Sequence, residues 1–176
     1  MRQVIVVSYD PRWPAEFERA AGEVVEALGQ SLLAIHHIGS TSIPGIHAKP
    51  IIDMLVVVND LSLVDQCAER MRGIGYEAMG EFGIAGRRYF RRDNAAGVRT
   101  EHVHAFAAGS PHVQRHLAFR DFLRAHADVA QEYSQLKQRL AAAHPFDIDA
   151  YMDGKDPFIR QIDARAMQWL GDRDNA

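Results

Sequence analysis

The residues with the clearest chemical potential lie in the stretch HHIGSTSIPGIHAKPIIDMLVVV, residues 36–58. It joins a turn of small residues, Gly39, Ser40 and Thr41, to an apolar strand that contains one carboxylate, Asp53. Backbone N–H groups and hydroxyls at such a turn suit phosphate oxygens, and a carboxylate can hold the divalent metal that accompanies phosphate. The pattern predicts phosphate binding at the turn, with Asp53 as a metal ligand and catalytic residue. The alternative is a structural turn beside a carboxylate that a nearby Lys or Arg neutralises.

The motif TEHVHAF, residues 100–106, offers further metal ligands. Alternate side chains of an extended strand share one face, so His102 and His104 are predicted to point the same way. Two histidines on one face are a plausible metal pair, and with Asp53 they would hold a divalent ion, Mg²⁺ or Mn²⁺. In the alternative interpretation, one histidine hydrogen-bonds Asp53 and neutralises it. The sequence leaves both interpretations open.

Basic and aromatic residues extend the predicted phosphate or nucleotide site. Arg88 follows a glycine-rich loop, and alternation places the neighbouring Arg87 on the opposite face. Arg120 lies within the apolar FRDFLR, so it is expected to pair with a carboxylate or a ligand. A Tyr-x-x-x-Lys spacing occurs twice, in which a Tyr can stack on a base while the Lys one turn along contacts phosphate. The alternative for each residue is a solvated helix face. The predicted residues beyond the turn are Lys49, Arg88, Arg120, Lys137, Tyr151 and Lys155.

Hydrophobic periodicity predicts the elements that position these residues. Asp10-Pro11 is predicted to open a helix, because Asp caps helices and Pro suits the first helical position. Residues 60–73 predict a second helix, and the last third of the chain is predicted to be helical. This order predicts an α+β domain, with helices on one face of a sheet of four or five strands. The predicted strands are 31–38, 50–58, 76–79, 87–92 and 99–106, and the predicted C-terminal helices are 111–126, 128–143 and 157–170.

The composition restricts the class of protein. The chain has 176 residues, 47% apolar and 24% charged, which is ordinary for one globular domain spanning 1–176. A net charge of -3 argues against broad nucleic-acid or membrane affinity. The partner expected from the predicted phosphate site is a nucleotide or another phosphate-bearing small molecule. The single cysteine, Cys67, and the absence of an apolar leader or span predict a cytoplasmic protein. The oligomeric state is left open.

Several stretches together resemble the GrpB family of the DNA-polymerase-β-like nucleotidyltransferase superfamily. The resemblance covers nearly the whole chain and rests on residues 36–58, on Tyr151 and Lys155, and on the motifs YDPRWPAEFE, GRRYFRR, TEHVHAF and HLAFRDFLRAH. It implies the nucleotidyltransferase fold. A related domain occurs fused to dephospho-CoA kinase, which suggests an accessory role linked to coenzyme A.

The resemblance also implies a metal arrangement from which this sequence departs. The superfamily pattern is Gly-Ser, a gap, then Asp, a hydrophobic residue and a second acid, with a third acid from a later strand. Gly39, Ser40 and Asp53 match it, whereas Leu55 stands at the second acid. Two acids normally hold two metals that clamp the attacking and leaving oxygens. The sequence therefore leaves open a metal-dependent nucleotidyltransferase, a catalytically degraded ligand-binding module and, third, a hydrolase using Asp53, His102 and His104.

Overall fold

A five-stranded mixed sheet lies at the centre of the protein, for which a computed structural model describes residues 3–174. The predicted strands are all present, at Leu32–Ile38 (β1), Ile52–Val58 (β2), Glu77–Ala78 (β3), Arg87–Asp93 (β4) and Arg99–Ala107 (β5). The third strand is short. Their spatial order is β1-β2-β5-β4-β3. The β2–β5 pair is parallel, and the other three pairs are antiparallel.

Three helices cover one face of this sheet, as the α+β prediction requires. They are α1 (Trp13–Leu28), α2 (Leu61–Gln66) and α3 (Ala68–Gly73), and they pack on the alternate apolar residues of β2 and β5. The predicted start of α1 is wrong. The helix begins at Trp13, with Pro14 in its first turn, whereas Asp10 lies before the helix and accepts a hydrogen bond from the Arg12 N–H at 2.9 Å. The helix predicted over 60–73 is divided at Cys67.

The helical C-terminal third forms a second apolar cluster. It consists of α4 (Pro111–Ala125), α5 (Ala127–Ala143) and α6 (Ile148–Asp174). Helix α6 begins well before the predicted residue 157, because the Asp147 carboxylate accepts a hydrogen bond from the Ala150 N–H at 3.0 Å and caps an earlier start. Pro157 therefore lies inside the helix. No helix within residues 3–174 is both long and apolar enough to span a bilayer.

The second face of the sheet meets the C-terminal helices only in part. A small apolar cluster of Ile38, Leu55 and Phe106 packs there against Val113 and Leu117 of α4. Beside this cluster, the same sheet face carries polar side chains from β2 and β5. Side chains of α5 and α6 lie opposite them. This partial coverage leaves a cavity between sheet and helices.

Candidate functional site

A cavity of about 460 Å³ opens on the second face of the sheet, within the size range of small-molecule sites. Its walls come from the Gly39–Ser42 turn, from β2, β4 and β5, and from α5 and α6. Residues that are far apart in the sequence therefore meet in one place.

Asp53, His102 and His104 form a compact group on the sheet side of this cavity. The Asp53 Oδ1 atom lies 2.9 Å from His102 Nδ1 and 3.4 Å from His104 Nε2. One potential ligand atom from each residue lies within 4.8 Å of the others. The prediction that at least one histidine faces Asp53 is confirmed, and both do. One carboxylate and two imidazoles are a donor set that suits a divalent metal.

The charge state of this group favours metal binding. Burial raises the pKa of Asp53, but hydrogen bonds to His102 and His104 outweigh it and hold the pKa well below its usual range. Burial lowers the pKa of His104, although Asp53 opposes that shift. The carboxylate is therefore ionised and the His104 ring neutral at pH 7, the forms that coordinate metals.

Parallel pairing of β2 and β5 creates the group. Asp53 is the register partner of His102, and Leu55 is the partner of His104. The Leu55 side chain is fully buried beside Ile38 and Phe106, so the position of the missing second acid belongs to an apolar cluster. An imidazole on the neighbouring strand thus lies beside the position where the superfamily pattern has a carboxylate.

Gly39 allows the turn to approach Asp53. Its φ of 70° and ψ of -176° are open to glycine and strained for other residues. A Cβ added at Gly39 would lie 2.5 Å from the Asp53 Oδ2 atom. The glycine that sequence reasoning assigned to phosphate binding therefore also fixes the distance between the turn and the carboxylate.

We expect Gly39→Ala to lower the free energy of unfolding by about 2–4 kcal/mol, because backbone strain and the clash with Asp53 add together. Gly97→Ala is a matched control, since φ at Gly97 is 72° and no atom lies within 4 Å of the added Cβ. That variant should lose only about 1 kcal/mol. Urea denaturation of both variants measures the difference, and equal losses would contradict a close turn–Asp53 contact.

The Ser40–Ser42 turn is a single 3-10 turn. The Thr41 hydroxyl donates to the Ile51 carbonyl at 3.2 Å and lies 2.9 Å from His37 Nε2, so it is engaged within the protein. The Ser40 side chain hydrogen-bonds Tyr133. The turn therefore offers a ligand mainly the first N–H groups, which a helix start leaves without intrahelical partners. Thr41 lines the cavity, but its hydroxyl serves the turn itself.

All three lysines of the sequence line this cavity, namely Lys49, Lys137 and Lys155. The remaining basic side chains of the Lys and Arg type are all arginines. Lys137 and Lys155 are 2% and 7% exposed, and each Nζ atom lies about 4.5 Å from the ring centroid of the Tyr four residues before it. Within the described part of the chain, neither ammonium forms an ion pair with a carboxylate. Two buried cations without counter-ions are suited to a polyanion.

The surroundings of these lysines lower their pKa values. Burial and then the nearby Lys155 lower the pKa of Lys137 to about 7. Burial and then Lys49 lower the pKa of Lys155 to about 8, although Asp53 opposes this shift. Burial raises the pKa of Tyr133 to about 12, so its hydroxyl stays protonated. A bound anion would reverse the lysine shifts by favouring the charged ammonium groups.

Arg88 was wrongly assigned to the site. It lies on the helix-covered face of the sheet and binds Asp65, with Nε–Oδ1 at 2.5 Å and Nη2–Oδ2 at 2.8 Å. Its neighbour Arg87 lines the cavity instead. Strand alternation predicts that only one of these two arginine side chains points into the site. Which arginine does so depends on the β4–β5 register, in which Arg87 pairs with Phe106.

Arg120 does not border the cavity either. Its Nη1 donates to the His37 carbonyl at 3.1 Å, and its Nε donates to Asp121 at 2.7 Å. With Arg124, which donates to the Ser42 carbonyl at 2.9 Å, it lines a separate cavity behind the turn. The prediction that Arg120 pairs with a carboxylate is confirmed, whereas its predicted convergence with the lysines is wrong.

Comparison with solved structures identifies the fold. The chain superposes on the poly(U) polymerase Cid1 in complex with its short product ApU, with a TM-score of 0.52 and 12% identity, over 74% of this chain and 41% of that chain. A likeness at this identity shows the fold alone. Together with the turn–strand–Asp arrangement, it defines a protein with a nucleotidyltransferase-like fold.

The chain belongs to the GrpB family, whose model, described as GrpB protein, matches residues 3–165. The crystal structure of the conserved protein GrpB from Enterococcus faecalis has a TM-score of 0.90 and 44% identity, over 94% of this chain and 99% of that chain. UPF0157 protein YqkA of Bacillus subtilis is 46% identical over 99% of this chain, which spans half of the length of that relative. A dephospho-CoA kinase of Mycolicibacterium paratuberculosis is 30% identical over 94% of this chain and 46% of its own length.

Proposed function

We propose that this protein binds a nucleotide, or another phosphate-bearing small molecule, together with a divalent metal in the 460 Å³ cavity. The observation that carries the proposal is the convergence of the Asp53–His102–His104 group with all three lysines of the chain. A metal would neutralise one part of a polyphosphate, and Lys137 and Lys155 would bind another part.

The donor set refines the choice of metal. Two of the three potential ligands are imidazoles, which favour first-row transition ions over Mg²⁺. Between Mg²⁺ and Mn²⁺, we therefore propose tighter binding of Mn²⁺, and Zn²⁺ is a third ion to compare. When bound, the metal would supply Lewis-acid polarisation of a phosphoryl oxygen.

Nucleotidyl transfer is the reaction that this site fits best if it is catalytic. An acceptor hydroxyl or amine would attack the α-phosphorus, the α–β P–O bond would break, and pyrophosphate would leave. Lys49, Lys137 and Lys155 would hold the departing phosphates, and the Gly39–Ser40 turn would orient them. The acceptor would lose its proton to solvent or to leaving pyrophosphate.

A ligand-binding or accessory module is the second candidate, and the burial of Leu55 favours it. No carboxylate occupies that position, so the second metal of a two-metal transfer lacks a ligand there. Relatives named dephospho-CoA kinase make dephospho-CoA and coenzyme A the natural ligands to compare with nucleotides.

Thermal shift measurements on the full chain test the binding proposal. We expect nucleoside triphosphates to raise Tm with Mn²⁺ present and to have little effect after chelation. A ligand at about one hundred times its Kd should add roughly 2.7 kcal/mol of stability, or about 5–10 °C in Tm for a chain of this size. Absence of any shift with nucleotides, tripolyphosphate, dephospho-CoA and coenzyme A would refute the proposal.

Pyrophosphate release then separates the two candidates. A nucleotidyltransferase should release pyrophosphate from a bound triphosphate when a hydroxyl or amine acceptor is supplied, whereas a binding module should release none.

A further inference from the structure

Phe82 carries two unfavourable features at the opening of the cavity. Its side chain is 57% exposed, although it is a large hydrophobic group. Its φ is 45°, and it is the one non-glycine residue with positive φ within residues 3–174. For a bulky side chain this conformation is an outlier, and such outliers concentrate at functional sites.

Phe82 lies in the loop between β3 and β4, and specific contacts hold it in this position. The Arg87 guanidinium donates to the carbonyls of Phe82 at 2.6 Å and Glu81 at 3.1 Å. The Glu81 carboxylate accepts from the Gly86 N–H at 2.7 Å. The Tyr89 ring stacks on Phe82 with centroids 5.1 Å apart and an interplanar angle of 23°. The aromatic ring is therefore fixed in the free protein while much of its surface faces solvent.

The cavity also has a gradient of polarity. Its buried part carries Lys137 and Lys155, whereas the exposed part includes Phe82 and Met152, which are 57% and 46% exposed. Tyr89 links the two parts, since its ring lies 5.4 Å from His102 and 5.2 Å from His104. A ligand that fills the cavity would be anionic at one end and apolar and flat at the other.

We propose that Phe82 is a stacking platform for the nucleobase of a bound nucleotide, so that the substrate class is a nucleoside polyphosphate rather than a simple phosphate. This inference rests on the proposed phosphate and metal site. A nucleobase matches a fixed aromatic face, and such stacking tolerates every base because each has a π-face. Phe82 carries no hydrogen-bonding side-chain group and Met152 only a weakly accepting thioether, so discrimination among the bases should be weak, with purines favoured for their larger surface.

Isothermal titration calorimetry of the full chain with Mn²⁺ tests this platform. The ligands are ATP, UTP and inorganic tripolyphosphate, and the variants are Phe82→Ala, Phe82→Tyr and Phe146→Ala. Phe146 is a matched control, because it is 55% exposed and lies outside the cavity walls. Phe82→Ala should weaken ATP binding by about 5- to 150-fold, the range that loss of one base stack implies. Its tripolyphosphate affinity should be unchanged, and Phe82→Tyr and Phe146→Ala should bind ATP normally.

Four results would overturn the inference. Unchanged ATP affinity in Phe82→Ala would exclude stacking. An equal loss of ATP and tripolyphosphate affinity would show that Phe82 only supports the loop. If the unaltered protein binds tripolyphosphate as tightly as ATP, the phosphate site stands but the nucleobase platform does not. Failure of the unaltered protein to bind either ligand would overturn the proposed function and the inference together.

Discussion

Replacing Asp53 with asparagine should abolish the metal-dependent stabilisation of the protein. The carboxylate is the one anionic donor of the candidate metal group, and its hydrogen bonds to His102 and His104 keep it ionised. Asparagine keeps the shape but removes the charge, and a neutral amide is a much poorer ligand for a divalent ion. The Tm increase produced by Mn²⁺ with nucleotide should therefore disappear, as should any nucleotidyl transfer.

The metal-free Asp53→Asn variant should stay folded with only a modest change in stability. The asparagine oxygen can still accept a hydrogen bond from an imidazole, and burial keeps His104 neutral, so the substitution leaves no buried cation without a partner. We expect a loss below about 2 kcal/mol, the scale of a weakened hydrogen bond. A purely structural ion pair would instead cost about 3–5 kcal/mol.

Asp65→Asn is the matched control for this experiment. Asp65 binds Arg88 on the other face of the sheet, and its side chain is 51% exposed. The exposed pair should contribute under about 1 kcal/mol, and its loss should leave the Mn²⁺ response intact. A large drop in the metal-free Tm of Asp53→Asn, with metal and nucleotide binding preserved, would refute the metal site and assign Asp53 a structural role.

Replacing Lys137 with methionine should remove polyphosphate binding and stabilise the ligand-free protein. The Lys137 ammonium is buried, and it donates a hydrogen bond to the His47 carbonyl. Its pKa of about 7, against an ordinary 10.5, means that the folded state disfavours the charge. Removal of this penalty should add on the order of 4 kcal/mol at pH 7, and loss of the hydrogen bond to His47 offsets about 1 kcal/mol.

The pH dependence of stability provides a second measurement of the same group. Between the folded pKa of about 7 and the unfolded value near 10.5, the unfolded chain binds more protons at Lys137 than the folded chain. The free energy of unfolding should therefore rise as the pH increases through this window and level off below about pH 7. Lys155 acts in the same direction from about pH 8 upward, so the slope should be smaller in Lys137→Met but still present.

Arg139→Met serves as the control, because Arg139 is an exposed residue on the same helix. It should change stability by less than about 0.5 kcal/mol and leave tripolyphosphate affinity unchanged. Urea denaturation at about pH 7 and pH 9.5, with calorimetry of tripolyphosphate binding, gives both readouts. A destabilised Lys137→Met variant that still binds tripolyphosphate normally would show that this lysine supports the fold and not a ligand.

The sequence determined those features that depend on local spacing. The alternation of TEHVHAF placed His102 and His104 on one face, and the Gly39–Ser42 turn before an apolar strand placed Asp53 near it. The Tyr-x-x-x-Lys spacing placed Lys137 and Lys155 one helical turn from a tyrosine. These features follow from the periods of strands and helices, which act over a few residues. The restriction of lysine to positions 49, 137 and 155 was also readable from the sequence, and it is the clearest signal that motif analysis missed.

The tertiary structure decided everything that depends on pairing between distant segments. The parallel register of β2 with β5 placed Asp53 beside His102, and the β4–β5 register directed Arg87, not Arg88, into the cavity. The packing of α4 placed Arg120 behind the turn, and the contacts of Arg87 fixed Phe82 at the opening. A one-residue change in register would reverse the face of every side chain in a strand, and burial across the whole sheet selects the register. That selection comes from contacts between residues far apart in the chain, so the spacing of neighbouring residues does not reveal it.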